Sequence, residues 1–214
     1  MIPSKKSLVC VPSLAQSSCS STVSAHGRFT KHNLALSAVA TRDIFPGEEI
    51  TISCTVVLHP FCLLLTSDSC RQQDIFIGMP SRYRRRSLSN WAFTCTCGLC
   101  SSPPEALAAS DSRREKLVDI MHAMRQPDTD YETLVALTRE FVDIVQVERL
   151  EAKVGEYYQA FMKVYYDFGD TESALRYAQT ALKYAETFAD PDGGFCTALR
   201  GDMEMLRGML ERGE

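Results

Sequence analysis

Three cysteines sit at one- and two-residue spacing in the run Cys95-Thr96-Cys97-Gly98-Leu99-Cys100. Thiolates suit zinc, which favours four tetrahedral ligands. A C-x-C-x-x-C loop lets three sulfurs converge on one ion. The alternative for the same residues is three free thiols. A closed structural site needs a fourth ligand, so one must come from elsewhere in the chain. Nine cysteines in 214 residues with no secretory h-region point to a reducing compartment. That setting favours metal binding or free thiols over disulfides, and a cytoplasmic or nuclear location is the expectation.

The elements that must position this loop are legible in outline. Residues 1 to 23 are Ser-rich and aperiodic, and residues 1–15 are expected to form a disordered tail. Segments 23–29 and 34–40 are short strand candidates around a turn at Thr30-Lys31-His32-Asn33. Phe45-Pro46-Gly47-Glu48-Glu49 is a second turn, where Pro fixes φ and Gly permits positive φ. Ile50 to Ser53 follows as a β-branched strand. Segment 54–76 fits no periodicity. Ser81 to Trp91 reads as a short helix carrying Arg82, Arg84, Arg85 and Arg86, expected to be a solvated basic face. Ser101-Ser102-Pro103-Pro104 is a linker or helix start.

From Glu105 onward the pattern is helical. Leu117, Ile120, Met121 and Met124 recur at helical steps, as do Leu134, Leu137, Phe141 and Ile144. Segments 154–168 and 171–188 form a predicted helical hairpin around Phe168-Gly169-Asp170. Ala174, Ala178 and Ala181 permit close helix contact, with Tyr158, Phe161 and Tyr165 opposite. This is similar to one tetratricopeptide unit, and one unit is not a solenoid. Pro191 to Gly194 is a loop before a last helix over 195–211. Residues 1 to 104 carry ten Lys/Arg and five Asp/Glu, about +5, and residues 105 to 214 carry thirteen and twenty-two, about −9. The opposite charges suggest two structural units. No apolar run is long enough to span a bilayer, so no membrane partner is expected.

Three strings together carry a family resemblance: Ala38 to Ile44, Pro46 to Ser53, and Arg86-x4-Trp91-x-Phe93-x-Cys95-x-Cys97-x-x-Cys100. They resemble the C-terminal half of a SET domain with its post-SET zinc loop, closest to the SET and MYND branch and its fungal relatives. In that branch an α-helical, tetratricopeptide-like region follows the zinc loop. The resemblance therefore implies an α+β chain: a partial SET β-fold with post-SET loop over 16–100, then a helical region over 101–214. It also implies S-adenosylmethionine as cofactor and protein lysine as substrate.

The resemblance assigns residues as well. The family motif Asn-His-Ser-Cys-x-Pro-Asn aligns with Gln16 to Thr22, so Cys19 is the implied fourth zinc ligand beside Cys95, Cys97 and Cys100. The Asn-His and Pro-Asn pairs are replaced. Phe93 matches the aromatic that packs on the adenine of the cofactor. The catalytic Tyr of the family falls on Cys54, and a thiol is a weaker donor than a phenol. The Gly-rich cofactor loop of the N-terminal SET half has no counterpart. Cofactor binding is thus expected to be weak or lost, and the catalytic set is expected to be empty. The rival expectation is a non-catalytic, zinc-stabilised module whose acidic helices bind a protein partner.

Residues 54–74 interrupt the family pattern. A translated, unspliced intron accounts for them: joining the first base of the Cys54 codon to the last two of the Asp74 codon gives a Tyr codon. Its removal would restore Ser53-Tyr-Ile75. Among other signals, the arginine cluster lacks the aromatic interleaving of a nucleic-acid surface. The four histidines show no ligand spacing. Cys10 and Cys196 are expected to be free thiols.

Overall fold

Proline and aspartate set where the helices begin. Pro103 is extended (φ −53°, ψ 149°), and Pro104 opens the helix that follows, where its missing N–H costs nothing. Asp130 and Asp170 cap two later starts, at Tyr131 and Thr171, accepting hydrogen bonds from the backbone of Thr133 at 2.7 Å and Ser173 at 2.9 Å. The computed structural model describes residues 7–8, 18–20, 24–48, 50–53, 79–89, 94–150 and 154–213, with backbone alone for residues 7–8, 18–20, 36, 51–53 and 87.

Six helices lie among the described residues: α1 Ser81–Ser89, α2 Pro104–Ala123, α3 Tyr131–Glu148, α4 Val154–Asp167, α5 Thr171–Phe188 and α6 Gly194–Arg212. Gln126-Pro127-Asp128, where the proline cannot continue a helix, separates α2 from α3. The expected hairpin at Phe168-Gly169-Asp170 joins α4 to α5. Gly169 has φ +79°, and the amides of Gly169 and Asp170 bond back to Tyr166 (2.9 Å) and Tyr165 (3.0 Å). That is a Schellman closure, which needs a left-handed residue at the position glycine occupies.

The alanines of α5 do what their spacing suggests. Ala174, Ala178 and Ala181 are fully buried. Without side chains beyond Cβ, they let α4 approach closely and set its aromatics in contact. The Phe161 ring meets Phe141 edge-on at 5.1 Å, and Tyr158 stacks on Tyr177 (6.1 Å) and Tyr184 (5.7 Å). Such pairs contribute roughly 0.5–1.5 kcal/mol each beyond burial. Leu134 of α3, with Met203 and Leu206 of α6, completes one core with them. Among the described residues, no helix is long and apolar enough to cross a membrane.

The strands form two small sheets, so the chain is α+β with helix predominant. Strands β3 (Ala25–Thr30) and β4 (Ala35–Ala40) pair antiparallel from Ala25↔Ala40 to Thr30↔Ala35. Their turn lies one residue later than expected, at 31–34. The Asn33 side chain accepts the Ala35 amide at 3.1 Å, and Leu34 takes the left-handed position (φ 52°). The expected turn at Pro46-Gly47 is present, with Gly47 at φ +84° and the Glu48 amide on the Phe45 carbonyl at 3.0 Å.

Two strand pairings were not expected. The tail assigned to residues 1–15 contributes β1 (Ser7–Leu8), antiparallel to β4 with Ser7↔Val39. The rest of that tail lies outside the described residues. Strand β2 (Ser18–Ser20) runs parallel to β5 (Thr51–Ser53), with Cys19 opposite Ile52.

The β3–β4 hairpin sits on the C-terminal end of α5. Arg28 donates to the carbonyls of Glu186 and Thr187, both at 3.4 Å. Those are last-turn acceptors of a helix, which favour a cation. The Lys31 amide donates to Asp190 at 3.1 Å, and the ring of His26 meets Phe188 edge-on at 5.9 Å.

Candidate metal centre

The cysteine loop joins α1 to α2, and α1 holds it. Leu88 of α1 is buried against Cys95, with Cys97 and Cys100 packed beside them. Arg85 donates to the Cys100 carbonyl at 3.3 Å. After the last cysteine the chain turns on itself. The Ser101 amide donates to the Cys97 carbonyl (2.9 Å), its hydroxyl to Thr96 (3.0 Å), and the Ser102 hydroxyl to Leu99 (2.7 Å). These bonds curl residues 95–100 so that the sulfurs share one side.

The sulfurs of Cys95, Cys97 and Cys100 all lie within 4.8 Å of one another. A tetrahedral zinc with Zn–S near 2.3 Å requires sulfurs about 3.8 Å apart. The loop is therefore within about 1 Å of that spacing, and its donor set fits zinc or another thiophilic ion. Cys95 is buried, and Cys97 and Cys100 are half-buried. Burial pushes the Cys95 thiol up, partly opposed by a backbone hydrogen bond at Cys97. Metal binding reverses that balance, because a coordinated thiol loses its proton outright.

The other expected site residues are less well placed. Cys19 has its backbone in β2 opposite Ile52, and its side chain lies outside the described residues. So do Phe93, the expected cofactor contact, Cys54, the residue expected at the Tyr position, and the segment 54–74. Cys196 is a buried free thiol, as expected, pushed up chiefly by burial.

Helix α1 is anchored on α2 as well as on the loop. The amide and hydroxyl of Ser81 donate to the two oxygens of Asp111 at 2.6 and 2.5 Å. Arg82 pairs with Glu115 at 3.0 Å. The expectation of a solvated basic face holds for Arg82, Arg85 and Arg86 but not for Arg84, which is only 7% exposed. Ser81, Arg84 and Leu88 fall on one side of the helix, the side turned to the interior, and Arg84 donates to the Met79 carbonyl. Its long apolar stem makes such burial possible.

A second polar cluster has no counterpart in the sequence reading. Glu148, the last residue of α3, accepts from Ser110 (2.6 Å), Arg113 (2.7 Å) and Arg114 (2.8 Å) of α2. The Arg114 side chain is fully buried and Glu148 nearly so. Burial, then the charge of Arg84, holds the Arg114 guanidinium below its ordinary range, while Glu148 opposes the shift. One signal was available: a carboxylate at a helix C-terminus opposes the helix dipole, so Glu148 there implies a compensating cation.

Compared with known proteins, the chain matches no family model and no curated protein.

Proposed function

We propose that this chain is a SET-related protein in which a structural zinc, held by Cys95, Cys97 and Cys100, ties a small β-region to an acidic helical region. Methyl transfer to protein lysine is the family chemistry this reading implies, and we propose that the chain carries it weakly or not at all. Cys54 stands where the family has its Tyr, and Gln16-Ser17 where it has Asn-His.

The convergence of the three sulfurs within 4.8 Å carries the reading. The parallel alignment of β2 with β5 adds to it. Those strands are the segments that the resemblance assigns to the Cys19 motif and to the approach to the Tyr position. A shared ladder between them is what a common pocket would need. The tetratricopeptide-like part of the reading rests on the α4–α5 hairpin and its alanine stripe. When bound, S-adenosylmethionine would supply an electrophilic methyl group, and Phe93 would stack on its adenine.

Two measurements test this. Purified protein should contain close to one zinc per chain, and Cys95→Ser, Cys97→Ser or Cys100→Ser should each lower that content. Metal-free wild type refutes the zinc part. Transfer of labelled methyl to a lysine-containing protein at rates typical of enzymes, of order 1 s⁻¹ or faster, refutes the proposed loss of activity. The absence of both zinc and cofactor binding removes the ground for the family reading. The rival, a non-catalytic interaction module, is favoured by zinc retention without calorimetric binding of S-adenosylmethionine.

A further inference from the structure

A groove of about 500 Å³ lies between α3 and α5, with Tyr165 of α4 at its floor. Its size is that of a ligand or peptide cleft. The floor has settled its own polar groups: the Tyr165 hydroxyl donates to Thr138 at 3.3 Å, and Thr138 donates to the Leu134 carbonyl at 2.8 Å. Val135 and Val142 give the α3 wall an apolar surface. Tyr131 extends it at one end, where its exposed ring lies 6.3 Å from the exposed ring of Phe168.

Two arginines line this groove, Arg139 from α3 and Arg176 from α5. Both are exposed. Among the described residues neither makes an ion pair, whereas Arg82, Arg113, Arg114 and Arg200 all do. Arg176 is steadied by a 3.1 Å bond to the Ser173 hydroxyl and lies 5.5 Å from the centre of the Tyr177 ring. Both arginines are positive points within a region that carries twenty-two acidic side chains against thirteen Lys/Arg over residues 105 to 214. Two carboxylates are near. Asp170 is engaged by the Ser173 amide and the Tyr131 hydroxyl. Asp143 lines the groove one helical turn beyond Arg139, and it disfavours an anion at that end.

We propose that this groove binds an extended segment of a partner protein in which carboxylates alternate with apolar side chains. The carboxylates pair with Arg139 and Arg176, and the apolar side chains cover Val135, Val142 and Tyr131. Along α3 the lining runs from Tyr131 to Asp143, about 18 Å at the rise of an α-helix. That length accepts about five extended residues. Two cations along an apolar groove match a short peptide of few charges, whereas a polyanion such as nucleic acid would extend past them over the surrounding carboxylates, which repel it. The inference does not depend on the zinc or the SET-related reading.

The test uses the full chain and a fluorescein-labelled hexapeptide alternating Leu and Glu, read by anisotropy. Saturable binding is expected, at least tenfold weaker for Arg139→Ala and for Arg176→Ala. It should be at least tenfold weaker for a Leu–Gln hexapeptide, and unchanged for Arg200→Ala, whose guanidinium is paired with Glu186. Circular dichroism should be unchanged in all variants, because both groove arginines are exposed. The proposal is overturned by absence of binding up to roughly 1 mM peptide, by equal affinity for the Leu–Gln peptide, or by affinity indifferent to both arginines. It is also overturned if the arginine variants abolish a self-associated dimer, which makes a second copy the occupant. Binding of an oligothymidylate that depends on the same arginines and competes with the peptide overturns it as well.

Discussion

Replacing Glu148 by Gln keeps the shape of the side chain and removes its charge. In the folded protein that carboxylate accepts from Ser110, Arg113 and Arg114 at 2.6–2.8 Å. Arg113 is partly exposed and can rehydrate, but the Arg114 side chain has no exposure. The substitution therefore leaves a buried guanidinium without its direct countercharge, near a second buried cation, Arg84. Breaking a buried pair from one side costs about 3–5 kcal/mol. Asp111 still attracts Arg114, so the lower end, about 3 kcal/mol, is expected. With a urea m-value of about 2 kcal/mol/M for a protein of this size, the midpoint should fall by about 1.5 M. The assay is urea unfolding followed by helical circular dichroism. The paired replacement Glu148→Leu with Arg114→Met should recover most of the loss, because removing both charges removes the stranded one. A fall below about 0.3 M for Glu148→Gln, or a double variant weaker than the single, refutes this account of the cluster.

Other outcomes follow from the same geometry. Cys19→Ser should weaken zinc retention about as much as Cys97→Ser in a chelator competition, and equal retention with wild type sinks Cys19 as fourth ligand. Hydrogen bonds at Ser173 and Tyr131, with Arg176 nearby, hold Asp170 below the usual carboxylate range although burial pushes it up. Its contribution is present above the unfolded value, near about 3.9, and fades as pH falls through the lower folded value. Asp170→Asn keeps the cap, so its melting temperature should fall less than wild type between pH 6 and pH 3. Gly169→Ala should destabilise by about 1 kcal/mol, because alanine resists φ +79°. Gly155→Ala should be neutral or stabilising by up to about 0.5 kcal/mol in thermal melts, because the added Cβ meets its neighbours at 3.5–3.6 Å, ordinary contact. Transcript sequencing should find a spliced form reading Ser53-Tyr-Ile75, and a genomic sequence without GT in the Cys54 codon and AG across the junction of the Gln73 and Asp74 codons ends the intron account of residues 54–74.

The features legible in the sequence were local. The α4–α5 hairpin needed only helical periodicity, an alanine stripe and a glycine at the reversal. The sulfur cluster needed only six consecutive residues. What escaped was non-local. Strands β2 and β5 are three residues each, too short to show alternation, and parallel pairing across an intervening hairpin leaves no turn signal. The burial of Arg84 escaped because composition treats arginine as a surface residue, whereas Ser81 and Leu88 beside it on one helix side decide its direction. The groove escaped because Arg139 and Arg176 are far apart in sequence and join only when α3 and α5 pack.

Arg28 closing the last turn of α5 has a consequence for how the chain can be divided. The charge reversal near residue 104 invites separation into an N-terminal and a C-terminal piece. A fragment beginning at residue 101 would uncover the carbonyls of Glu186 and Thr187, the Phe188 ring and the Asp190 carboxylate. It would also strip Ser81 from Asp111. The hairpin and α1 thus cover two different helices of the C-terminal region, α5 and α2. Limited proteolysis should release both halves together rather than trim one to a stable remnant.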